Sequence, residues 1–438
     1  MTAVQPTGRL SRRCRLAVLI AACAACVLAL STVVPASATS LKQAHPVWVT
    51  KQKVKGKKIV LKVRWPKVSG AARYEVDYAI SRTGKALVGA QVQASGSKKS
   101  RTFGARSSST QKARVTGLRP GTVYCFQVRA LRGSTAGLRS PAHCKKTVDR
   151  ARAPRKGGDT IAVATYNVCS NCSSSALAPW STRLPLVLDR IRDLKVGKKG
   201  RPADVVAIEE ADRAVAEKND VGALERGLRG TFTRGCKPGD GTGNPYDNNE
   251  AVFVRDATFS IVPGSAGGMR FEHLGDPQHG ACWVKVRSRT TGEEYLFVGL
   301  HLDDTASADK IRGKETKALA KAAKKAAGGV PVVYAGDSNS SRSRPSDAPR
   351  LRLQKRGYDD AYDEALRYES LPYLNSAVGT TGALRSSVAW GDHIDRVFVP
   401  RGVSVAAWKV DYRRKGSRYA LPLASDHNPV IVELRFRR

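Results

Sequence analysis

Acidic residues are scarce in the first third of the sequence. The whole chain carries 75 Lys and Arg residues against 37 Asp and Glu residues, a formal net charge of +38. Residues 39–148 hold 24 of the basic residues but only two acids, Glu75 and Asp77. A charge excess of this size indicates attraction to polyanions and does not indicate a fold. It is also far from the mixed surface expected of a passive spacer.

Long apolar runs are absent beyond residue 38. The first 38 residues combine four Arg and no acid with a long apolar stretch that ends in Ala36, Ser37 and Ala38. This pattern is typical of a cleaved signal peptide. The alternatives are an uncleaved membrane anchor and lipidation at Cys23. We therefore expect a secreted protein with no membrane span after signal removal, and we assume a monomer.

Cysteine is infrequent, but its number is informative. Three of the nine Cys lie in the signal segment, which leaves six in the exported chain. In an oxidising compartment an even set favours disulfides over free thiols or zinc ligands. A redox role for the CxxC at 169–172 is the alternative, although no thioredoxin-like pattern surrounds it. The spacing suggests three pairs: Cys125 with Cys144, Cys169 with Cys172, and Cys236 with Cys282.

The pattern of residues 39–148 predicts an all-β sandwich. Short stretches with period-2 alternation, such as KIVLKVRW and RYEVDYAI, follow one another between turn signals. Trp65 and the stretch GLRPGTVYCFQVRAL resemble the second-strand Trp and the tyrosine corner of a fibronectin type III domain. The resemblance implies that Cys125 points outward and that several neighbours are core residues, namely Leu118, Tyr124, Phe126 and Val128.

A change of pattern at residues 149–158 predicts a linker, because Pro, Gly and charged residues occur there without periodicity. From 159 to 438 the sequence has continuous apolar strands and two stretches of helical spacing, 182–194 and 308–329. This part favours an α/β domain with packed sheets. Its 43 basic and 34 acidic residues are nearly balanced, unlike those of the preceding domain.

Polar side chains gather at the ends of the apolar strands in this second domain. Each alone is more often structural, but catalytic residues commonly lie on loops that a rigid scaffold holds. A set of this size therefore predicts a functional site. Its members are Asn167, Glu210, His301, Asp337, Asn339, Asp395, Asp426 and His427.

The ordered stretches TYNV, VVAIEE, GLHLD, GDSN, HIDRVF and SDHNPV resemble the motifs of the deoxyribonuclease I-like endonuclease/exonuclease/phosphatase superfamily. The resemblance covers residues 159–438. It implies a four-layer α/β sandwich, in which two β-sheets are flanked by helices, and hydrolysis of phosphoesters with a divalent metal. The chain is thus expected to be multidomain, with the basic all-β domain ahead of this one.

The resemblance also implies a metal site. Mg²⁺ prefers a few oxygen ligands together with water and phosphate, and Mn²⁺ or Ca²⁺ are alternatives. Glu210 and Asn167 would hold the ion, with help from Asp426. The usual Gln of this motif is Glu209 here, which leaves open a share for Glu209 in the metal site. Glu250 is a candidate for the acid that assists the first His.

The same resemblance implies which residues transfer protons and which bind phosphate. His427 would be the general base for the attacking water, and Asp395 would orient it. Asp337 and Asn339 would position water and phosphate oxygens. His301 would hydrogen-bond the phosphate or protonate the leaving oxygen.

The substrate is the least determined feature. The leading interpretation is a secreted nuclease that acts on DNA, with RNA as a further substrate, because basic surface neutralises phosphates. The basic domain would then tether nucleic acid or an anionic cell-wall polymer. A sphingomyelinase-like or other lipid or small-molecule phosphoesterase is the first alternative, disfavoured by an aromatic content of 6%. A non-catalytic wall- or polyanion-binding protein is the second, disfavoured because every motif is intact.

Overall fold

The structure is a computed structural model. It describes residues 41–83, 87–149, 158–172, 177–211, 220–236, 250–276, 278–342, 344, 346–379, 382–384 and 393–437. All of these belong to one compact unit, Ser40–Arg438. The predicted signal segment 1–38 and residues 150–157 of the predicted linker lie outside the described residues. We define the N-terminal region as residues 41–149 and the C-terminal region as residues 158–437.

Strands dominate the N-terminal region. They are β1 (Trp48–Lys55), β2 (Lys58–Pro66), β3 (Arg73–Ile80), β4 (Lys99–Gly104), β5 (Thr110–Leu118), β6 (Val123–Arg132), β7 (Thr135–Ala136) and β8 (His143–Lys146), with helix α1 (Gly89–Ala94) before β4. Sheet A has the order β1-β2-β5, and sheet B has the order β4-β3-β6-β7, with β8 also paired to β6. Alternate side chains of these strands face the core, as the period-2 pattern predicts.

The N-terminal core contains the residues that the sequence singled out. Trp65 is 1% exposed and meets Tyr74 edge-on, with ring centroids 5.4 Å apart. The hydroxyl of Tyr124 accepts a hydrogen bond of 2.9 Å from the backbone N–H of Arg119. The four predicted core residues are confirmed as buried: Leu118, Tyr124, Phe126 and Val128. These features agree with a fibronectin type III-like domain, which stays a prediction.

Cys125 points away from the main core, as the resemblance implies, and is bonded to Cys144 on the neighbouring strand β8. Its side chain lies outside the main core, in a small cluster with Val92 and Cys144, but it is not solvent-facing. Cys125 is fully buried, because helix α1 places Val92 over this face of sheet B. The sequence did not predict this cover, because a helix of six residues is too short to show a periodic repeat.

Two larger sheets form the C-terminal region. Its strands are β9 (Thr160–Asn167), β10 (Lys195–Val196), β11 (Arg201–Pro202), β12 (Val205–Glu209), β13 (Phe232–Arg234), β14 (Ala251–Arg255), β15 (Phe259–Ile261), β16 (Gly267–Arg270), β17 (Gly280–Ser288), β18 (Glu294–His301), β19 (Val332–Asp337), β20 (Tyr358–Asp360), β21 (Asp395–Pro400), β22 (Ser404–Val410), β23 (Arg414–Lys415), β24 (Arg418–Tyr419) and β25 (Val430–Arg435). Sheet C has the order β13-β14-β12-β9-β25-β22. Sheet D has the order β15-β17-β18-β19-β21-β20, with β16 paired to β17.

Helices pack against sheets C and D, most of them on the outer faces. They are α2 (Trp180–Asp193), α3 (Asp220–Leu228), α4 (Asp309–Ala327), α5 (Ala348–Gln354) and α6 (Ala361–Glu364), and a 3₁₀ turn spans Glu272–Leu274. Apolar residues of α2 and α3 pack on sheet C, and those of α4 and α5 pack on sheet D. In the described part of the chain, none of these helices is long and apolar enough to cross a membrane.

The inner faces of sheets C and D pack on each other. Val163 and Val205 of sheet C share a buried cluster with Val333 and Val397 of sheet D. Helix, sheet, sheet and helix therefore follow one another, and the predicted four-layer α/β sandwich is confirmed. The two predicted helices correspond to α2 and α4, with ends that differ by one or two residues.

The three predicted disulfides are confirmed. The Cα atoms are 3.8 Å apart in Cys125–Cys144, 5.3 Å in Cys169–Cys172 and 6.0 Å in Cys236–Cys282. The last bond ties the end of β13 to β17 and thus links sheet C to sheet D. It closes a loop across 46 positions of sequence, whereas Cys169–Cys172 spans only three.

Replacing Cys236 and Cys282 together by Ser should lower the free energy of unfolding by on the order of 4 kcal/mol. Removing the bond returns the loop-closure entropy to the unfolded chain, and that entropy grows with loop length. Urea denaturation followed by fluorescence measures the change. The matched control replaces Cys169 and Cys172, which should cost clearly less, and equal losses in the two variants would contradict the loop-length explanation.

Candidate active site

Strand register brings three predicted residues into one row on sheet D. The strands β18 and β19 are parallel neighbours, and their register sets His301 beside Asp337. The antiparallel pairing of β19 with β21 sets Asp337 opposite Asp395. The three side chains therefore lie in one row across the sheet, at the end where β18 and β19 finish and β21 begins.

Sheet C contributes the facing residues. Asn167 is the last residue of β9, and the parallel register with β12 pairs it with Glu209, directly before Glu210. Asp426 and His427 precede β25, whose first residue pairs with β9 two positions before Asn167. The amide of Asn167 reaches across to sheet D, where its Nδ2 donates to Asp337 Oδ2 at 3.3 Å.

A close backbone approach explains the Gly of the GDSN stretch. Gly336 pairs with Leu300 in the register of β18 and β19. A Cβ atom at this position would overlap the carbonyl oxygen of Leu300. Only glycine therefore lets the two strands keep the spacing that aligns His301 with Asp337.

Two site residues have left-handed backbone conformations. Glu210 has φ 53° and Asn339 has φ 44°. Non-glycine residues in this region cost of order 1–3 kcal/mol each and are concentrated at functional sites. Local hydrogen bonds hold the second turn: the Asn339 N–H donates to Asp337 Oδ1 at 2.8 Å, and its Nδ2 donates to the Leu302 carbonyl at 2.8 Å. The side-chain amide of Asn339 is thus already engaged, which the sequence did not indicate.

A buried Arg organises the loops of sheet C. Arg183 is 0% exposed, and its guanidinium donates to six backbone carbonyls, those of Val168, Cys169, Ser170, Cys172, Ala178 and Ala424. The Ser425 hydroxyl adds a bond of 2.7 Å to the carbonyl of Asn167. The loop after Asn167 is thereby tied to the loop that carries His427, and the buried charge is fully hydrogen-bonded.

His427 and Asp395 form a close ion pair in the site. His427 Nδ1 lies 2.9 Å from Asp395 Oδ2 and 3.1 Å from Oδ1. Burial opposes the charged form of His427, but Asp395 and then Asp337 raise its pKa well above the usual value. The backbone N–H of Asp395 donates to the Ser376 hydroxyl at 3.1 Å, which fixes the start of β21. This arrangement orients the imidazole and leaves Nε2 for a second partner.

Burial disfavours the charged forms of two other carboxylates in the site, those of Glu210 and Asp337. Burial raises the pKa of Glu210, against the 2.7 Å hydrogen bond from Asn167 Nδ2. Burial and the charge of Asp395 raise the pKa of Asp337 to about 7. His301 Nε2 lies 3.8 Å from Glu210 Oε1 and 3.9 Å from Asp337 Oδ2. Both carboxylates therefore lie next to an imidazole and an amide in a largely buried site.

The site contains a third His, His279, which the sequence patterns did not indicate. The rings of His279 and His301 meet edge-on with centroids 4.2 Å apart, and His279 Nδ1 lies 2.9 Å from both oxygens of Asp276. Burial works against its charge, but Asp276 raises the pKa of His279 to about 9. Burial and the charges of His279 and His427 lower the pKa of His301 well below its usual value. The Asp-x-x-His spacing was the only available signal.

The sequence left the roles of Glu209 and Glu250 open, and the structure places these two residues in different parts of the site. Glu250 Oε1 is 3.7 Å from His301 Nδ1, so Glu250 lies where an acid that assists this His would lie. Burial raises the pKa of Glu250 to about 8. Glu209 is fully buried between the sheets, accepts a 2.8 Å hydrogen bond from Thr165 Oγ1, and has a pKa raised well above its usual value by burial. A neutral Glu209 resembles the Gln that usually precedes the metal-binding Glu.

The oxygen donors of this site fit a hard divalent cation. Glu210 is partly exposed, with its carboxylate directed toward Asn167, His301 and the site. Asp426 lies close enough for its charge to contribute to the raised pKa of Glu210. Asn167 Oδ1 accepts from the backbone N–H of Cys169 at 3.1 Å, so a ligand role would require its amide to give up that bond. A cation would relieve the cost of holding these buried carboxylates charged.

Residues 164–427 match the Endonuclease/Exonuclease/phosphatase family, a stretch that contains all the predicted site residues. An endonuclease/exonuclease/phosphatase structure from Bacteroides vulgatus is similar over 64% of this chain and 100% of its own length, with 21% sequence identity and a TM-score of 0.50. At this identity the likeness concerns the fold alone. No curated protein sequence matched the chain.

Two further solved structures have lower TM-scores. A mannosyl-6-phosphatase from Bacteroides thetaiotaomicron covers 63% of this chain and 100% of its own, with 21% identity and a TM-score of 0.46. TDP2 of D. rerio, complexed with single-strand DNA product, covers 63% of this chain and 99% of its own, with 15% identity and a TM-score of 0.45. TM-scores below 0.5 give these two likenesses no weight for the present chain.

Replacing Asp395 by Asn should lower the pKa of His427 by roughly 1–3 pH units, because it removes the negative charge that stabilises the imidazolium. NMR titration of the imidazole protons in EDTA-treated protein measures this shift. Asp276→Asn is the matched control and should lower the pKa of His279 while leaving that of His427 nearly unchanged. An unchanged His427 titration in Asp395→Asn would show that the ion pair does not exist in solution.

Proposed function

The chain belongs to the endonuclease/exonuclease/phosphatase family, and we propose that it is a secreted, divalent-metal-dependent phosphodiesterase that hydrolyses DNA. Members of this family are phosphoesterases and typically depend on metals. The observation that carries the proposed chemistry is the meeting of the His427–Asp395 pair with Glu210 and Asp337 at the facing edges of two sheets. A base, its orienting acid and oxygen donors for a metal are thus within one site.

Glu210 is the principal metal ligand in this proposal. Asn167 holds its carboxylate through the 2.7 Å hydrogen bond, and Asp426 adds a nearby negative charge. When bound, Mg²⁺ or a similar ion would polarise the scissile phosphate and offset its developing charge. The left-handed turn at Glu210 directs the carboxylate away from the strand and toward this position.

His427 takes the proton of the attacking water. Its Nδ1 is engaged by Asp395, so Nε2 is the nitrogen that accepts the proton once His427 is neutral, a form that the positive charge of a bound cation would favour against the raised pKa. Asp395 stabilises the imidazolium that forms, which is the role of the orienting acid in a base–acid pair. The low exposure of both side chains keeps bulk water from weakening this interaction.

His301 and His279 act on the phosphate side of the site. The lowered pKa of His301 makes it a neutral hydrogen-bonding group, held by Glu250 and by the ring of His279. The raised pKa of His279 makes it a cation next to Glu210 and His301. Asp337 lies between His301 and His427, where it can position water. Asn339 holds this loop through Leu302.

Basic residues on the outer face of sheet A support a polymeric polyanion as the substrate. Register places Lys62 opposite Arg114 and Arg64 opposite Lys112 on the exposed side of these strands. Burial and then the neighbouring cations lower the pKa of Lys62, which indicates closely spaced positive charges. We call these four residues the cationic face. Such a face neutralises phosphates without reading sequence.

An aromatic ring at the edge of this face favours nucleic acid over other polyanions. A groove of about 440 Å³ is lined by Phe103 and Arg106 together with three members of the cationic face, Lys62, Lys112 and Arg114. Cations that track a backbone, combined with an aromatic platform, are the means by which proteins bind single strands without sequence preference. We propose that this groove holds a stretch of the substrate or a product strand.

Purified protein should hydrolyse plasmid DNA with Mg²⁺ and lose this activity in EDTA. A panel of DNA, RNA, sphingomyelin and small phosphate monoesters under the same conditions tests the substrate. Activity on the lipid alone would replace the proposal by a lipid phosphodiesterase. Inactivity on every phosphoester would favour a non-catalytic polyanion-binding protein.

Glu210→Gln should raise the Mg²⁺ concentration needed for half-maximal activity by roughly tenfold or more, because it removes the proposed anionic ligand. Glu209→Gln is the matched control and should leave the metal titration nearly unchanged, since burial already disfavours the charged form of Glu209 and the amide can keep the bond to Thr165. The reverse outcome would assign the metal to Glu209.

Replacing Lys62 and Arg114 together by Ala should raise the KM for long DNA at low salt and reduce the salt slope of binding by about two, one for each phosphate contact. Phe103→Ala should weaken binding of single-stranded DNA but not of inorganic polyphosphate. A small phosphodiester should be cleaved at the normal rate by both variants. Replacing Lys321 and Lys324 on α4 removes the same charge elsewhere, and an equal effect there would refute a specific groove.

A further inference from the structure

The two regions of the chain are joined by a continuous β-sheet. Residues 365–369 run beside β22, where the Leu366 N–H donates to the Val405 carbonyl and the Trp408 N–H donates to the Arg367 carbonyl, both at 2.9 Å. Their other edge pairs with β1 through Gln52 N–H to Leu366 O at 2.9 Å and Tyr368 N–H to Thr50 O at 3.0 Å. Sheet A therefore continues sheet C across residues 365–369.

Buried polar contacts accompany this sheet. Gln52 is 1% exposed; its Nε2 donates to the Ala365 carbonyl at 2.6 Å, and its Oε1 accepts from the Val148 N–H at 2.9 Å. Trp48 is 6% exposed and its ring lies 5.1 Å from that of Tyr373. Contacts of this kind are typical of a folded interior and not of two domains joined only by a linker.

Lys145 is the most deeply buried lysine of this junction, and burial lowers its pKa to about 7 against the opposing effect of Asp363. It is 0% exposed, its Nζ donates to the Asp363 carbonyl at 2.6 Å, and it lies 3.8 Å from Asp363 Oδ1. The rings of Tyr362 and Tyr368 flank it, with centroids 5.4 and 5.3 Å from Nζ. Removing one partner of such a buried pair leaves the other charge without compensation.

The partner of Lys145 is also a partner of the active-site loop. Asp363 forms an ion pair with Arg342, three residues after Asn339 in the loop that follows β19. Tyr362, next to Asp363, lies under the Arg342 guanidinium and packs on His393 with ring centroids 5.0 Å apart. His393 lies two residues before Asp395. Residues that Lys145 contacts therefore pack against two segments of the site, the loop after β19 and the residues just before β21.

We infer that the N-terminal region is a structural part of the active site and that Lys145 is a positioning residue for the loop after β19. This inference rests on the proposed phosphodiesterase function. Lys145 holds Asp363, Asp363 holds Arg342, and Arg342 fixes the loop that presents Asp337 and Asn339. The N-terminal region then contributes to turnover itself and not only to substrate capture.

Lys145→Met in the full chain should lower kcat for a small chromogenic phosphodiester by roughly tenfold or more, since small displacements of reacting groups are costly. The KM for this substrate should stay within about twofold, because the substrate does not reach Lys145. Val115→Ala is the matched control: Val115 is buried in the N-terminal core but makes none of these contacts. It should lower the melting temperature without lowering kcat below that melting point. An equal kcat for Lys145→Met and wild type, or equal losses in both variants, would overturn the inference.

A second measurement is independent of activity. A protease site inserted between residues 149 and 158 allows the folded wild-type chain to be cut, and the two pieces are then run on a sizing column in 1 M NaCl. Co-elution supports the buried junction, because its contacts are screened little by salt. Separation would overturn it. If wild type cleaves no phosphoester, the proposed function fails, while this measurement still decides whether the regions are joined.

Discussion

The active site depends on the hydrogen-bond register among β18, β19 and β21. That register sets His301, Asp337 and Asp395 side by side, and a slip of one residue would turn every side chain of a strand to the opposite face. Gly336 makes the close approach of β19 to β18 sterically allowed. Arg396, directly after Asp395, is 2% exposed and bonded to Asp347 and Asp360, which anchors the start of β21.

Charge is the second constraint, because the site concentrates acids in a buried space. Asp395 is compensated by His427, and Asp276 by His279. Burial raises the pKa of Glu209 and Glu250, so these acids tend toward the neutral form. The charges that remain near the opening belong to groups that face the proposed metal and phosphate. Several perturbed pKa values in one cleft are typical of a functional site.

The junction with the N-terminal region changes how a polyanion would reach this site. A flexible tether raises local concentration over a range set by its length, whereas a docked domain holds its binding surface at a fixed place. The cationic face is therefore a fixed feature of the same compact unit as the site. In the proposed mechanism, substrate capture and turnover are linked through the hydrogen-bonded contacts between sheet A and sheet C.

The sequence alone was enough to predict the polar residues at the ends of apolar strands and the three disulfides. Asn167, His301, Asp337 and His427 were found because each follows or precedes an apolar run, a local signal that needs no tertiary information. The position of His279, the packing of α1 over Cys125 and the burial of Lys145 became apparent only from the fold. The hydrogen bond from Lys145 to Asp363 joins residues 218 positions apart. A local sequence pattern indicates which side of a strand or helix is buried, but it does not indicate which distant element packs there. Contacts of this kind therefore became visible only in the folded chain.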